Sequence, residues 1–176
     1  MIALTRRTAL ALAAFALLTA APMATESRAD PTLADGKAAG TLTVNGKTTN
    51  IAFAYARSVP GFFDKGTNDT EVIVSDVPLD AKALADNFAR SDLAQAGKLH
   101  AFEITIDASG KPISTAWRHN GFNNGAVPSG LSSADLFTKT VLDGKVVEAS
   151  YKSAAPGDFF GNSYAFDVTF RATIAH

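Results

Sequence analysis

Two histidines, His100 and His119, have the clearest potential for metal chemistry in this chain. They lie in two strand-like segments, residues 98–107 and 112–120, and the turn-forming residues between these segments predict a hairpin. If the connecting loop contains four residues, His100 faces His119 across the hairpin. Directly opposed residues have Cα atoms about 4.5–5.5 Å apart, so two imidazoles in these positions can share one transition-metal ion.

Two features of the sequence leave open whether this metal site forms. A three-residue loop with Gly110 in the left-handed conformation is a common hairpin type, and it pairs the first histidine with Arg118 instead. The four-residue loop matches apolar residues across the hairpin better, for example Phe102 with Trp117. In that register no third ligand is visible, since Glu103 points to the opposite face of its strand. We therefore expect no cofactor, with a transition metal on the two histidines as the alternative.

Two adjacent pairs of phenylalanines follow Pro-Gly turns in stretches that resemble one another. The stretches TLTVNGKTTNIAFAYARSVPGFFD and TKTVLDGKVVEASYKSAAPGDFFG begin at Thr41 and Thr138. Each contains a Gly-Lys turn, a strand-like run with a tyrosine near its end, and a phenylalanine pair. Turn and strand chemistry alone accounts for much of this likeness, so an ancestral duplication is one of two open explanations. If both stretches fold as matching three-strand meanders, the two pairs emerge at the same end.

These paired aromatic side chains predict a binding rim. Successive side chains of an extended chain point to opposite faces, so one phenylalanine of each pair should plug the core and the other should face a ligand. The mouths of β-barrels are common small-molecule sites. In the alternative, a kink in each loop tucks both rings into the core. The predicted ligand-binding residues are Tyr55, Phe62, Phe63, Tyr151, Phe159 and Phe160.

The first hairpin is predicted from its turn. Asn45-Gly46 is a strong two-residue hairpin signal, because both turn positions require a positive φ. This turn places Val44 opposite Lys47. The alternation of the two strands then predicts one continuous apolar face, formed by Leu42, Val44, Ile51, Phe53 and Tyr55.

A later hairpin and the last strand complete the β pattern. Asp143-Gly144 predicts a second two-residue turn, with Lys139 opposite Glu148. The last strand has the most regular alternation in the chain. Its predicted inner face consists of Tyr164, Phe166, Val168, Phe170, Ala172 and Ile174.

One segment has helical periodicity. Asp80 is a good N-cap, Ser91 restarts the helix and Gly97 ends it. The predicted apolar stripe contains Ala81, Leu84, Ala85 and Phe88. The strand-like segments number about eight and have hairpin spacing. We therefore predict a mainly β chain, a single antiparallel β-barrel or β-sandwich of about eight strands with one short helical insert.

Residues 1–29 are predicted to be a cleaved secretory signal peptide. Arg6 and Arg7 precede the apolar run Ala9–Leu18, and Ser27–Ala29 offers a cleavage site. A membrane-spanning helix needs about 20 apolar residues, and this run is about half as long, so we expect no stable membrane insertion.

The export route and the remaining domain follow from this signal. The segment Thr5–Leu10 resembles the twin-arginine export signal, so this route and the general secretory route are both open. Residues 30–176 are expected to form a single β-rich domain that is periplasmic or secreted. They contain no Cys and have a net charge near −3 with histidine neutral, a balance that predicts no nucleic-acid partner.

The sequence contains no catalytic signature. It lacks G-x-S-x-G, a phosphate-binding loop, H-E-x-x-H and a dinucleotide-binding fingerprint. We therefore expect an exported, non-catalytic domain that binds a small apolar or aromatic ligand, or an apolar group of a protein partner, at the phenylalanine-rich loops. The alternatives are a protein interaction or inhibitor module, and a small metal-binding protein or enzyme that uses His100 and His119.

Overall fold

A curled antiparallel sheet makes up most of the molecule. The structure is a computed structural model that describes residues 32–122, 129–130 and 136–176. Its strands are β1 (Lys37–Val44), β2 (Lys47–Asn50), β3 (Phe53–Pro60), β4 (Asn68–Ser75), β5 (Ala101–Ile106), β6 (Pro112–Arg118), β7 (Ser129–Gly130), β8 (Phe137–Leu142), β9 (Val146–Lys152), β10 (Gly157–Phe159) and β11 (Asn162–Ala175). Nine of these strands follow the order β7-β6-β5-β4-β3-β1-β11-β9-β8 and curl into a half-barrel. The predicted β-rich fold class, with a short helical insert, is confirmed.

One part of the sequence prediction concerns residues that the structure does not describe. The predicted signal peptide, residues 1–29, lies outside the described part of the chain. Within the described ranges, none of the helices has the length and apolar character needed to cross a bilayer.

The helical insert consists of two short helices, α1 (Ala81–Ala85) and α2 (Asn87–Gln95). Asp80 caps α1 as predicted, because its side chain accepts the amide of Ala83. The chain breaks at Asp86, which caps α2, and not at Ser91. A left-handed Gly97, with φ of 66°, follows α2.

The predicted helical stripe is wrong at Ala81, Ala85 and Phe88, which are exposed, and Ala83 is the buried residue of α1. The break between the helices turns Arg90 inward instead. Its guanidinium donates to the carbonyl oxygens of Ala83 and Leu84, at 2.8 and 3.1 Å. A buried arginine therefore binds the carbonyl groups left free at the end of α1.

The core fills the concave face of the half-barrel. Strands from every part of the sheet contribute buried apolar residues to it, including Leu42, Val72, Phe102, Val147 and Phe170. A second, smaller cluster lies on the convex face, where Leu84 and Leu93 of the helices pack near Ile73, Leu99 and Ala101. The two helices thus cover one patch of the outer surface.

The first hairpin forms as predicted, but its apolar face does not continue into β3. Val44 lies opposite Lys47, and Asn45 and Gly46 have φ values of 49° and 77°. Strand β2 pairs with β1. After Ile51 the chain continues as β3, which pairs mainly with β4. Ala54 and Ala56 are the core residues of β3, so Phe53 and Tyr55 lie on the other face of the strand.

The predicted pairing of Lys139 with Glu148 is wrong. The side chain of Asp143 accepts the amides of Lys145 and Val146, both at 2.9 Å, and this bonding extends the turn. The strands pair in a shifted register that places Val141 opposite Glu148. Glu148 instead lies opposite Arg171 of β11 and forms an ion pair with it.

Strand β11 connects the two ends of the half-barrel. Its first residue, Asn162, pairs with Phe159 of β10, whereas Ala175 at its far end pairs with Arg57 of β3 in parallel. At about 3.3 Å per residue, its 14 residues span about 45 Å. The loop that follows β3 is therefore far from the β10–β11 turn.

Candidate functional site

An apolar cavity opens on the concave face, near the start of β11. We call it the aromatic pocket. Its volume is about 410 Å³. Five aromatic side chains line it: Trp117, Tyr151, Phe159, Tyr164 and Phe166. The described part of the lining contains no charged side chain, and its polar side chains are Thr115, Ser129, Ser153 and the two tyrosines.

The rings of this pocket contact one another. Phe166 lies between Tyr151 and Trp117, with centroid distances of 4.7 and 6.1 Å. Tyr164 meets Trp117 edge to face at 5.4 Å. These contacts hold the rings in fixed orientations, because aromatic pairs favour edge-to-face and offset arrangements. The aromatic walls of the pocket therefore support one another.

The second phenylalanine pair divides between the pocket and the solvent. Phe159 lines the pocket, whereas Phe160 is 82% exposed. The two rings meet edge to face at 4.8 Å. Phe160 and Gly161 occupy the β10–β11 turn with φ values of 50° and 75°. Phe160 therefore points away from the pocket because the chain turns at this residue, and not because an extended strand alternates its side chains.

The first phenylalanine pair does not divide in this way. Phe62 and Phe63 are 67% and 70% exposed, and their rings meet edge to face at 4.9 Å. The loop that carries them is closed by its own hydrogen bonds. The buried carboxylate of Asp69 accepts the amide of Phe62 at 2.8 Å, and the amide of Gly61 donates to the carbonyl of Thr67 at 2.9 Å. Both rings therefore project from a closed loop.

The predicted rim shared by the two pairs is wrong. Phe62 and Phe63 follow β3 beyond the end of β11, and Phe159 and Phe160 precede the start of β11. The two stretches pair differently: β8 and β9 form a continuous hairpin, whereas the strand after Gly46 breaks at Ile51 and continues in a different pairing. Of the six predicted ligand-binding residues, the aromatic pocket contains two, Tyr151 and Phe159.

Tyr55 lies in a different depression, beside α1. This outer cleft has a volume of about 530 Å³ and is lined mainly by small apolar residues of β3, β11 and α1. The Tyr55 hydroxyl accepts the amide of Leu79 at 2.9 Å. Tyr55 was predicted to face a ligand at the rim. In the structure its hydroxyl group instead holds the segment that leads into α1.

The two histidines do face each other, as the first of the two registers predicts. Phe102 pairs with Trp117 and Ala101 with Arg118, so His100 and His119 follow as the next opposed positions. Their ring centroids are 4.4 Å apart. The alternative register holds only at the hairpin tip, where Gly110 has a φ of 85°, and a bulge beyond Thr105 separates the two registers.

The hydrogen bonds of the histidines define their chemistry. His100 Nδ1 lies 2.7 Å from the Asp76 carboxylate and His100 Nε2 lies 3.2 Å from Asn120 Oδ1. His119 Nδ1 accepts the amide of Gly121 at 2.8 Å, which places the proton of the neutral ring on Nε2. Burial, followed by repulsion from His100, lowers the pKa of His119 from 6.5 to about 4. At neutral pH His119 is therefore uncharged.

This tautomer disfavours the predicted metal site. A metal ligand needs a free lone pair, and His119 has used the lone pair of Nδ1 while Nε2 carries the proton. No group of three or more His, Cys, Asp or Glu with metal-binding geometry occurs among residues 32–122, 129–130 and 136–176. Asp76 and His100 form a carboxylate–imidazole pair, an arrangement that can orient a catalytic base. Neither His100 nor His119 lines the aromatic pocket or the outer cleft. Metal binding stays an untested prediction.

A chain of ion pairs crosses the convex face of β3 to β6. Arg57 pairs with Glu71, and the largely buried Glu103 receives Arg90 at 2.6 Å and Arg118 at 3.0 Å. Both carboxylates in this series of ion pairs, Glu71 and Glu103, are bound by an arginine of a neighbouring element. The ion pairs thus hold α2 against the sheet, and they leave neither glutamate free to act as a catalytic base.

Sequence reasoning missed three of the five aromatic residues that line the pocket. Tyr164 and Phe166 were assigned to the inner face of the last strand, and Trp117 to a matched hairpin pair, but none was predicted to bind a ligand. Clustering of aromatic residues on one face of two strands is the signal that could have found them. No protein-family model, no curated protein and no solved structure matches this chain.

Proposed function

We propose that this protein binds a small, uncharged aromatic or apolar molecule in the aromatic pocket. The observation that carries the proposal is a cavity of about 410 Å³ with five aromatic side chains and no charged one in its described lining. Small-molecule sites have volumes of about 300–1,000 Å³ and mostly apolar walls with a few polar groups. A charged ligand would lose its hydration there without gaining a partner in the described lining, so this lining favours a neutral ligand.

The polar groups of the pocket can orient such a ligand. The Tyr164 side chain lies near the backbone of Gly157, where a Cβ atom would come within 2.8 Å of its hydroxyl oxygen. Ser153 is already engaged, since its Oγ bonds both the amide and the carbonyl of Phe166 at 3.1 Å. Thr115 on β6 is a further hydroxyl in the lining. Stacking against the aromatic rings would supply most of the affinity, and the hydroxyl groups of Tyr164 and Thr115 would orient the ligand.

A neutral fluorescent probe tests this function directly. Trp117 is the only tryptophan and lines the pocket, so it can transfer excitation energy to bound N-phenyl-1-naphthylamine. We expect saturable binding that quenches Trp117 emission. Replacing Phe159 by Ala should weaken this binding by about tenfold or more, since burying one phenylalanine contributes about 1.5–3 kcal/mol.

The chain offers a matched control in its other phenylalanine pair. Phe63→Ala removes the same side chain from the same type of edge-to-face pair at the opposite end. It should leave probe binding unchanged. Equal loss of binding in Phe159→Ala and Phe63→Ala, or no binding by the unaltered protein, would contradict a ligand site in the aromatic pocket.

A second candidate function, contact with a protein partner, is favoured by Phe62 and Phe63. Two adjacent exposed rings on a closed loop resemble the aromatic anchors that insert into pockets at protein interfaces. A photo-crosslinking amino acid at position 63, compared with one at position 160, tests it in producing cells. A specific adduct from position 63 alone supports the partner, and the absence of adducts contradicts it.

A further inference from the structure

One end of the half-barrel is fastened by the turn between β1 and β2. We call it the Asn45 end. The side-chain amide of Asn45 donates to the carbonyl of Gly121 and to Asn162 Oδ1, both at 2.9 Å. Its side-chain oxygen accepts the amide of Ser163 at 3.0 Å. A single asparagine thus joins the start of β11 to the segment that follows β6.

Gly121 is held from its other side by His119. Its amide donates to His119 Nδ1 at 2.8 Å while its carbonyl is bound by Asn45. The contact leaves no room for a side chain, because a Cβ atom at Gly121 would lie 2.8 Å from both Nδ1 and Cε1 of His119. The imidazole therefore fixes the position of Gly121, and the bond depends on the free lone pair of Nδ1.

A second proton on His119 would remove that lone pair. The side chain is 5% exposed, and Nε2 is buried without a hydrogen-bond partner anywhere in the described ranges. A neutral ring already carries its one proton on Nε2, so an added proton must go to Nδ1. There it faces the Gly121 N–H, and two donors pointing at each other repel. Protonation would turn the contact that holds Gly121 into one that expels it.

The groups around His119 determine how acidic the solution must become. The His100 ring contacts it in a tilted arrangement, with centroids 4.4 Å apart, and repulsion from His100 and Lys47 opposes a further proton on His119. Asp76 favours that proton, but its carboxylate already binds His100 Nδ1 at 2.7 Å. Among the described residues, Tyr164 is connected to His119 through Phe122, whose ring contacts both side chains. Burial and His100 prevail, and the pKa of His119 falls to about 4.

We propose that His119 is an acid-operated latch: protonation of Nδ1 breaks its bond to the Gly121 amide and loosens residues 120–122 on the side of the imidazole, while the bond from Asn45 to the Gly121 carbonyl is retained. This loosening would move Phe122, which packs edge to face against Trp117 at 5.7 Å. Because Trp117 also lines the aromatic pocket, opening the latch would loosen one wall of it. The latch itself is a property of the fold and holds whether or not the pocket binds a ligand.

Fluorescence of Trp117 tests the latch, since it is the only tryptophan and adjoins Phe122. We expect a change of emission with a midpoint near pH 4, with the far-ultraviolet circular dichroism of the sheet retained. His119→Gln should abolish this transition, because glutamine can accept the Gly121 amide and does not titrate. His176→Gln, the same change at an exposed histidine, should retain it. An unaltered transition in His119→Gln, or loss of the sheet at the same pH in all three proteins, would overturn the latch.

Two further measurements keep the test decisive if a variant fails to fold. In the unaltered protein, the Gly121 amide proton should shift upfield in NMR spectra as the pH falls through about 4. A Gly121 signal that does not titrate between neutral pH and about pH 3 would overturn the proposal. His100→Gln removes the repulsion that lowers the pKa of His119, so the Trp117 transition should move to higher pH. A shift to lower pH would contradict the assigned role of His100.

Discussion

The two phenylalanine pairs share a motif and a ring geometry but occupy different environments. Both follow a Pro-Gly pair, and both form edge-to-face contacts, with centroids 4.9 and 4.8 Å apart. Phe62 and Phe63 project from a long closed loop, whereas Phe159 enters the aromatic pocket and Phe160 turns away from it. In the second stretch Asp158 stands between the glycine and the first phenylalanine. The comparison shows that backbone pairing, and not the motif, decides which ring is buried.

Removing Asn162 should have the largest effect and should disturb only the second pair. Its side-chain amide donates to the carbonyl oxygens of Phe159 and Phe160 at 3.0 and 3.3 Å, and its oxygen accepts from Asn45. Asn162→Ala removes a buried side chain and its bonds to these partly buried groups, so we expect the free energy of unfolding to fall by about 3 kcal/mol. Urea denaturation measures this loss. A loss below about 1 kcal/mol would show that this side chain does not organise the turn.

Acid should weaken the end that contains the second pair more than the loop that contains the first. The pKa of His119 is about 4 in the folded protein and has its ordinary value of 6.5 in the unfolded chain, so the unfolded chain binds more protons between these values. Stability is therefore full above pH 6.5 and declines as the pH falls toward 4, by up to about 3 kcal/mol. Amide exchange at Gly121 and Phe62 measures the difference. Faster exchange at Phe62 than at Gly121 on acidification would reverse the comparison.

Removing Asp69 should disturb only the first pair. Its buried carboxylate accepts the amide of Phe62, so Asp69→Ala opens the loop at a cost of about 2 kcal/mol. Binding of N-phenyl-1-naphthylamine should stay unchanged, because the aromatic pocket lies at the other end of β11. Asp64→Ala is the matched control, since Asp64 is an exposed carboxylate of the same loop. Loss of probe binding in Asp69→Ala would couple the two ends and break the comparison.

The smallest effect is a gain of stability at Phe160. This exposed residue has a φ of 50°, a left-handed conformation that costs most residues about 1–2 kcal/mol and asparagine less. Phe160→Asn creates an Asn-Gly turn like Asn45-Gly46, so we expect a gain of about 1 kcal/mol. Phe63→Asn, the same change in the other pair, should bring no gain. Thermal denaturation of both variants checks this difference, and equal effects would contradict it.

Local turn chemistry was the most predictable part of the fold. Asn45-Gly46 determined its own hairpin register, because two consecutive positive φ values leave the chain no other tight turn. The register that opposes His100 and His119 followed from apolar matching across the hairpin. The register at Asp143 was missed because a side-chain hydrogen bond extended the turn. A turn of one more residue changes every cross-strand partner behind it.

The candidate site could not be predicted because it depends on contacts between distant segments. The face change after Ile51 has no glycine or proline to mark it, and it moved Tyr55 from the predicted rim to the outer cleft. The pocket brings Trp117 of β6 against Tyr164 and Phe166 of β11, strands that are not neighbours in the sheet. Only the curvature of the whole sheet brings these rings together, and no short stretch of sequence encodes that curvature.

The long strand β11 also constrains when the protein can fold. It pairs with β1, β3, β9 and β10, and Lys37 of β1 lies opposite Arg171. Contacts between residues so distant in sequence slow folding and leave apolar surfaces uncovered in the meantime. During synthesis, β1 must wait for β11 to leave the ribosome before it gains its principal neighbour. The nascent chain therefore completes its sheet only after translation of nearly all described residues.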